Sequence, residues 1–236
     1  MAAAETFYRD LLGWNYAAGD AMPMPYRFIQ AGDKAIGGIM NPGPGDGADW
    51  QGCVTVAEVD AATGLAQSLG AEILMPPGDI PGGFGRIATI RDPGGAVLSL
   101  VSDDDSSETT LHNPHTPGFC GWHELTSNAP AASLAFFSAL LDWQPGEVFS
   151  MGETGDYQLF LRDGQPLGGI CPPAPGSGGP RWNYYFTVPD IRVAMETLQR
   201  HGITRCFGPM QVPGGSWIVM TADPQGAPLC LISPVG

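Results

Sequence analysis

The chain has 236 residues, 43% of them hydrophobic, which is material for a core in one large or two small domains. Ten basic residues against 24 acidic ones give a formal net charge of −14, which argues against nucleic acid and against an anionic membrane face, since both call for a Lys/Arg surface. No apolar run approaches the about 18 residues needed to span a bilayer, and Met1 to Glu5 lacks the basic and apolar stretches of a signal peptide.

The expectation is a cytoplasmic protein whose partners are a small-molecule ligand and, at most, a second copy of itself as a homodimer. Cys53, Cys120, Cys171, Cys206 and Cys230 are scattered without a CxxC pair, so reduced thiols are expected. With 34 Gly and 23 Pro and no collagen-like period, many short elements joined by tight turns are expected.

The first predicted element is a helix, entered almost at once from Ala2 and carrying Phe7-Tyr8-Arg9-Asp10-Leu11-Leu12-Gly13-Trp14. Tyr26, the run Gly37-Gly38-Ile39, Trp50, Val54-Thr55-Val56, Pro81-Gly82-Gly83 and Asp92-Pro93 follow in order. Asp103 to Pro117 is acidic, serine-rich and without periodicity, and reads as a linker in which His112 and His115 are solvated.

Beyond it, Gly121 to Thr126 alternates as a strand does, and Ser127, Asn128 and Pro130 supply helix-start chemistry for a helix over Ala131 to Leu141. Tyr157 to Arg162 and Pro166 to Cys171 read as a hairpin around Asp163-Gly164. Trp182 to Val188 is a strand, Asp190 and Ile191 open a helix ending near His201-Gly202, and Ile203 to Met210, Ser216 to Thr221 and Pro228 to Ser233 are strands.

The two halves repeat one another. Phe136-Phe137-Ser138-Ala139-Leu140-Leu141-Asp142-Trp143 matches the first helix phrase, Tyr157 matches Tyr26, Gly168-Gly169-Ile170 matches the Gly-Gly run, Trp182 matches Trp50, and Asp223-Pro224 matches Asp92-Pro93. The offset runs only from 129 (Phe7 to Phe136) to 132 (Trp50 to Trp182), as small loop insertions would produce.

This order of elements, with the phrases AFFSALLDW and ADPQGAPLCLIS, resembles the glyoxalase/bleomycin-resistance/dioxygenase (vicinal oxygen chelate) superfamily, in its two-domain form similar to actinobacterial proteins named as hydroxylases. The resemblance implies an α+β fold of tandem glyoxalase-like domains, each of two βαβββ units, over residues 1–102 and 118–236 with a linker at 103–117. The first unit lacks its opening strand.

The resemblance also implies a divalent metal held by His, Glu or Gln on the concave sheet face. Placed on this sequence, those ligand positions fall on Trp122, Asn183 and Cys230 in the second copy and on Gln51 and Ser99 in the first. These residues do not make a ligand set for a hard or borderline ion. His123 and Glu124 are adjacent on one strand and point to opposite faces. No cofactor is expected on this reading, although a divalent metal is not excluded.

The concave face is expected to carry Trp122, Glu124, Asn183, Tyr185 and Cys230, with Arg86 and Trp217 near its mouth. An aromatic plate, one carboxylate and several neutral hydrogen-bonding groups suit a small, partly aromatic ligand bound without metal. The alternative is a lyase or a dioxygenase/hydroxylase-type enzyme using Glu124 as acid/base, or a metal site not recognised in the sequence. A Trp122 that only packs, and a Glu124 satisfied by a local partner, would fit the same residues. Whether the chain is an enzyme stays open at this point.

Overall fold

The computed structural model describes residues 1–43, 45, 47–102, 112–174, 176 and 178–236. Its elements fall into four modules of one kind. The first holds α1 (Ala2–Leu12), β1 (Asn15–Ala18), β2 (Tyr26–Ala31) and β3 (Lys34–Met40). The second holds β4 (Cys53–Thr55), α2 (Val59–Ser68), β5 (Glu72–Asp79), β6 (Arg86–Arg91) and β7 (Val97–Val101). The third is β8 (Cys120–Thr126), α3 (Pro130–Leu141), β9 (Gln144–Ser150), β10 (Asp156–Arg162) and β11 (Gln165–Cys171). The fourth is β12 (Arg181–Thr187), α4 (Ile191–Arg200), β13 (Phe207–Gln211), β14 (Trp217–Ala222) and β15 (Pro228–Ser233).

In the three five-element modules the opening strand returns to pair in parallel with the last one. Cys53 lies opposite Ser99, Gly168 opposite His123, and Tyr185 opposite Cys230. The remaining pairs are antiparallel and hairpin-linked. The first module opens on its helix, so among the described residues β3 pairs only with β2. The α+β architecture is that expected from the sequence.

By internal contact the chain forms two compact units, and neither is a contiguous half. One gathers Met1–Trp50, residues 112–122 and Tyr184–Gly236; the other gathers residues 51–102 and His123–Asn183. The sequence copies 1–102 and 118–236 thus mark the repeat, while each compact unit takes one module from each copy. Residues 103–111 of the expected linker lie outside the described residues. His112, expected to be solvated, is half-buried and bridges in parallel to Cys120.

Each unit has its own aromatic core, and the two are built alike. In the first unit Tyr8, Trp14 and Trp50 form a triangle with centroid separations of 5.2, 5.5 and 5.9 Å. In the second, the repeat-matched Phe137, Trp143 and Trp182 form one of 5.2, 5.5 and 6.0 Å. Phe186 joins the first triangle and Phe160 the second. Edge and offset contacts of this kind add about 0.5–1.5 kcal/mol per pair beyond area burial.

The matched Asp-Pro turns tie each pair of modules together. Asp223 caps its own turn by accepting from the Gln225 and Ala227 N–H groups, and its Oδ2 accepts from the Tyr8 hydroxyl at 2.9 Å. Burial first, and the Asp223 charge second, hold that hydroxyl far above the usual phenol range. In the other unit Asp92 accepts from Ala96 N–H and from the Ser133 hydroxyl of α3. Gly94 lets this turn approach closely, since a Cβ there would lie 2.0 Å from Ser127 Oγ.

Candidate functional site

Strand alternation sorts the second unit's residues onto two faces. Trp182 packs against Phe137 of α3, so Asn183 points away from the helix. Asn183 is 3% exposed, and its Nδ2 donates to Glu124 Oε1 at 3.1 Å. Its Oδ1 is buried with no hydrogen-bond partner among the described residues. Glu124 sits between His123 and Leu125; Leu125 is fully buried, and His123 Nδ1 contacts the Leu167 carbonyl at 3.1 Å. Burial pushes the His123 imidazole below its ordinary pKa, partly offset by that carbonyl, so the neutral ring donates there.

Next to Glu124, β11 brings Gly169 into register with it and Cys171 with Thr126. The Tyr157 ring lies across Gly169 so closely that a Cβ there would stand 1.9 Å from its Cε1. The first copy repeats the device, with Tyr26 over Gly38. Burial, and then the Glu124 charge, push the Cys171 thiol up to about 12, so it is protonated at neutral pH. Glu124, Asn183, Cys171 and Tyr157 form one polar and aromatic cluster within one unit.

Trp122, Tyr185, Cys230 and Trp217 belong to the other unit. There Tyr185 lies opposite Cys230, and its hydroxyl reaches Met220 Sδ at 3.6 Å. Cys120 Sγ donates to the Trp122 carbonyl at 3.3 Å, and burial pushes that thiol up to about 12.

Two residues expected near a mouth have defined surroundings. Arg86 is engaged by Asp60 of α2 at 2.8 Å and by Asp79 at 2.6 Å, which turns it to the helix side of its sheet. Trp217 packs at the edge of the core that holds α1 and α4. Sequence reasoning left Tyr157 and Cys171 out of the site, although the paired Tyr and Gly-Gly matches of the repeat pointed at the first.

The metal positions implied by the fold do not fit an ion. Among the described residues no group of three His, Cys, Asp or Glu could hold one. Of the residues standing at those positions, Ser99 shares a hydrogen bond with Thr89 Oγ1 at 3.0 Å, and Asn183 is committed to Glu124. Trp122 supplies no donor atom for a metal at all.

Two of the clefts open at the surface among the described residues include neither Glu124 nor Asn183. One, of about 420 Å³, is lined by Met1 and residues 18–27. The other, of about 490 Å³, lies along α2 and the end of α3. Among the described residues no helix is long and apolar enough to cross a membrane.

Comparison with known proteins agrees with the fold. The profile of the Glyoxalase/Bleomycin resistance protein/Dioxygenase superfamily matches residues 1–100. CFP32 of Mycobacterium tuberculosis (strain CDC 1551 / Oshkosh), a glyoxylase by name, is 29% identical over 99% of this chain and 90% of its own length. The anthracycline biosynthesis protein DnrV of Streptomyces peucetius is 26% identical over 96% of this chain and 86% of its own. The Mn(II)-bound glyoxalase of Novosphingobium aromaticivorans superposes with a TM-score of 0.66 at 17% identity, covering 100% of this chain and 78% of that one.

Proposed function

We propose, from the match of residues 1–100 to the Glyoxalase/Bleomycin resistance protein/Dioxygenase superfamily, that the chain binds a small, partly aromatic molecule without a metal ion. The ligand occupies the sheet face that carries Glu124 and Asn183. One observation carries the reading: the metal positions that the resemblance implies hold Trp, Asn, Cys, Gln and Ser, while the face that carries Glu124 offers a buried carboxamide, a carboxylate and a tyrosine ring. Such a set orients a neutral ligand by hydrogen bonds and a ring contact.

The relative named for anthracycline biosynthesis supports an aromatic ligand, since anthracyclines are fused-ring compounds.

The test is calorimetric titration of the purified chain with 2-naphthol before and after exhaustive EDTA treatment, alongside elemental analysis. Saturable binding is expected, with a Kd on the order of 10 μM, near −7 kcal/mol. It should be unchanged by EDTA and lost in a Tyr157→Ala, Glu124→Ala double variant that keeps the native melting transition. A stoichiometric metal ion whose removal abolishes binding would overturn the proposal.

A further inference from the structure

Asn183 carries an incomplete hydrogen-bonding arrangement. Its amide group is committed to Glu124 Oε1, which fixes the orientation of the carboxamide, and its Oδ1 is buried with no partner among the described residues. Leaving a buried carbonyl oxygen unpaired is unfavourable, because its bond to water is lost with nothing in return. A protein recovers that cost when a bound group donates to it, and a site built this way rejects analogues that lack the donor.

The surroundings say which donor. Glu124 puts a carboxylate beside the amide, which repels an anion. The Tyr157 ring and the flat backbone of Gly169 stand beside Glu124, across β8 from Asn183, and favour a planar body on that face.

We infer that the Asn183 Oδ1 is the acceptor for an O–H or N–H borne on the ligand's ring, so that the site selects neutral, ring-hydroxylated or ring-aminated molecules over ring ethers and carboxylates. This rests on the binding proposal above and names the ligand class that the proposal leaves open. Asn183 is a specificity-determining residue here, with Glu124 holding its carboxamide in the accepting orientation.

The experiment compares three ring-matched probes on the intact chain by calorimetry: 2-naphthol, 2-methoxynaphthalene and 2-naphthoate. Wild type is expected to bind 2-naphthol about tenfold more tightly than the methyl ether, the worth of one hydrogen bond of about 1.4 kcal/mol. The naphthoate should bind most weakly of the three. Asn183→Leu should bring naphthol and ether to equal affinity. Glu124→Gln should relieve the rejection of naphthoate, and this second variant serves if Asn183→Leu fails to fold.

Equal binding of naphthol and ether by wild type overturns this inference and leaves the aromatic-binding proposal standing. If none of the three probes binds, both are overturned.

Discussion

Glu124 reaches three neighbours by three different physical routes. It accepts a hydrogen bond from Asn183, stands in register with Gly169, and disfavours the Cys171 thiolate through its charge. The last effect is measurable. Removing the charge in Glu124→Gln lowers the Cys171 pKa, so the thiolate fraction at pH 9 rises and iodoacetamide labelling should quicken about three- to tenfold. Cys120, also pushed up to about 12 but by burial, is the internal control. Peptide mapping should show Cys171 alone accelerating; equal acceleration of both thiols would mean general opening and would sink the electrostatic account. At this scale strand alternation predicts Glu124 and Asn183 on one face, and their side chains are hydrogen-bonded. It does not reveal the acids that capture Arg86, because Asp60 and Asp79 lie on a helix and on a neighbouring strand.

Among the elements, the strands with paired aromatic and apolar runs were legible, while those broken by turn-forming residues were not. β9 went unread because Pro145 and Gly146 look like a turn; the strand tolerates them at a sheet edge, where Pro need not donate. At Gly146 the Leu161 side chain packs close to the backbone, since a Cβ there would stand 2.2 Å from Leu161 Cδ1. β13 begins at Phe207 rather than at Ile203, as the chain leaves α4 through an irregular stretch. The same close approaches make the Tyr-over-Gly device testable. Gly169→Ala should displace the Tyr157 ring and destabilise the fold by about 1–3 kcal/mol in urea unfolding. In a Tyr157→Ala background the added cost should fall below about 1 kcal/mol. A cost that is the same in both backgrounds would show that the strain lies in the backbone instead.

For the whole molecule, the repeat told the truth about modules and said nothing about which modules close together. That choice is made by contacts far apart in sequence: Tyr8 with Asp223 in one unit, Ser133 with Asp92 in the other. Periodicity cannot announce such pairs. Expressed alone, fragments 1–102 and 118–236 should each lack a cooperative thermal transition, because each holds one module of each compact unit. Mixed, they should recover a single native-like melt and near-ultraviolet circular dichroism. A fragment that melts cooperatively by itself would refute this account of the units.

The Tyr8–Asp223 bond also sets a clock. Its two ends are 215 residues apart, so the first helix leaves the ribosome long before its hydrogen-bond acceptor exists. At about 5–20 residues per second the delay is on the order of ten seconds or more. Through that interval the apolar face of α1, with Phe7, Tyr8, Leu11 and Leu12, has no finished core to enter. The second compact unit is complete once Asn183 has been made, well before Gly236. Synthesis therefore finishes the inner modules first, and the chain's opening helix spends its early life as a client for whatever shields exposed apolar surface.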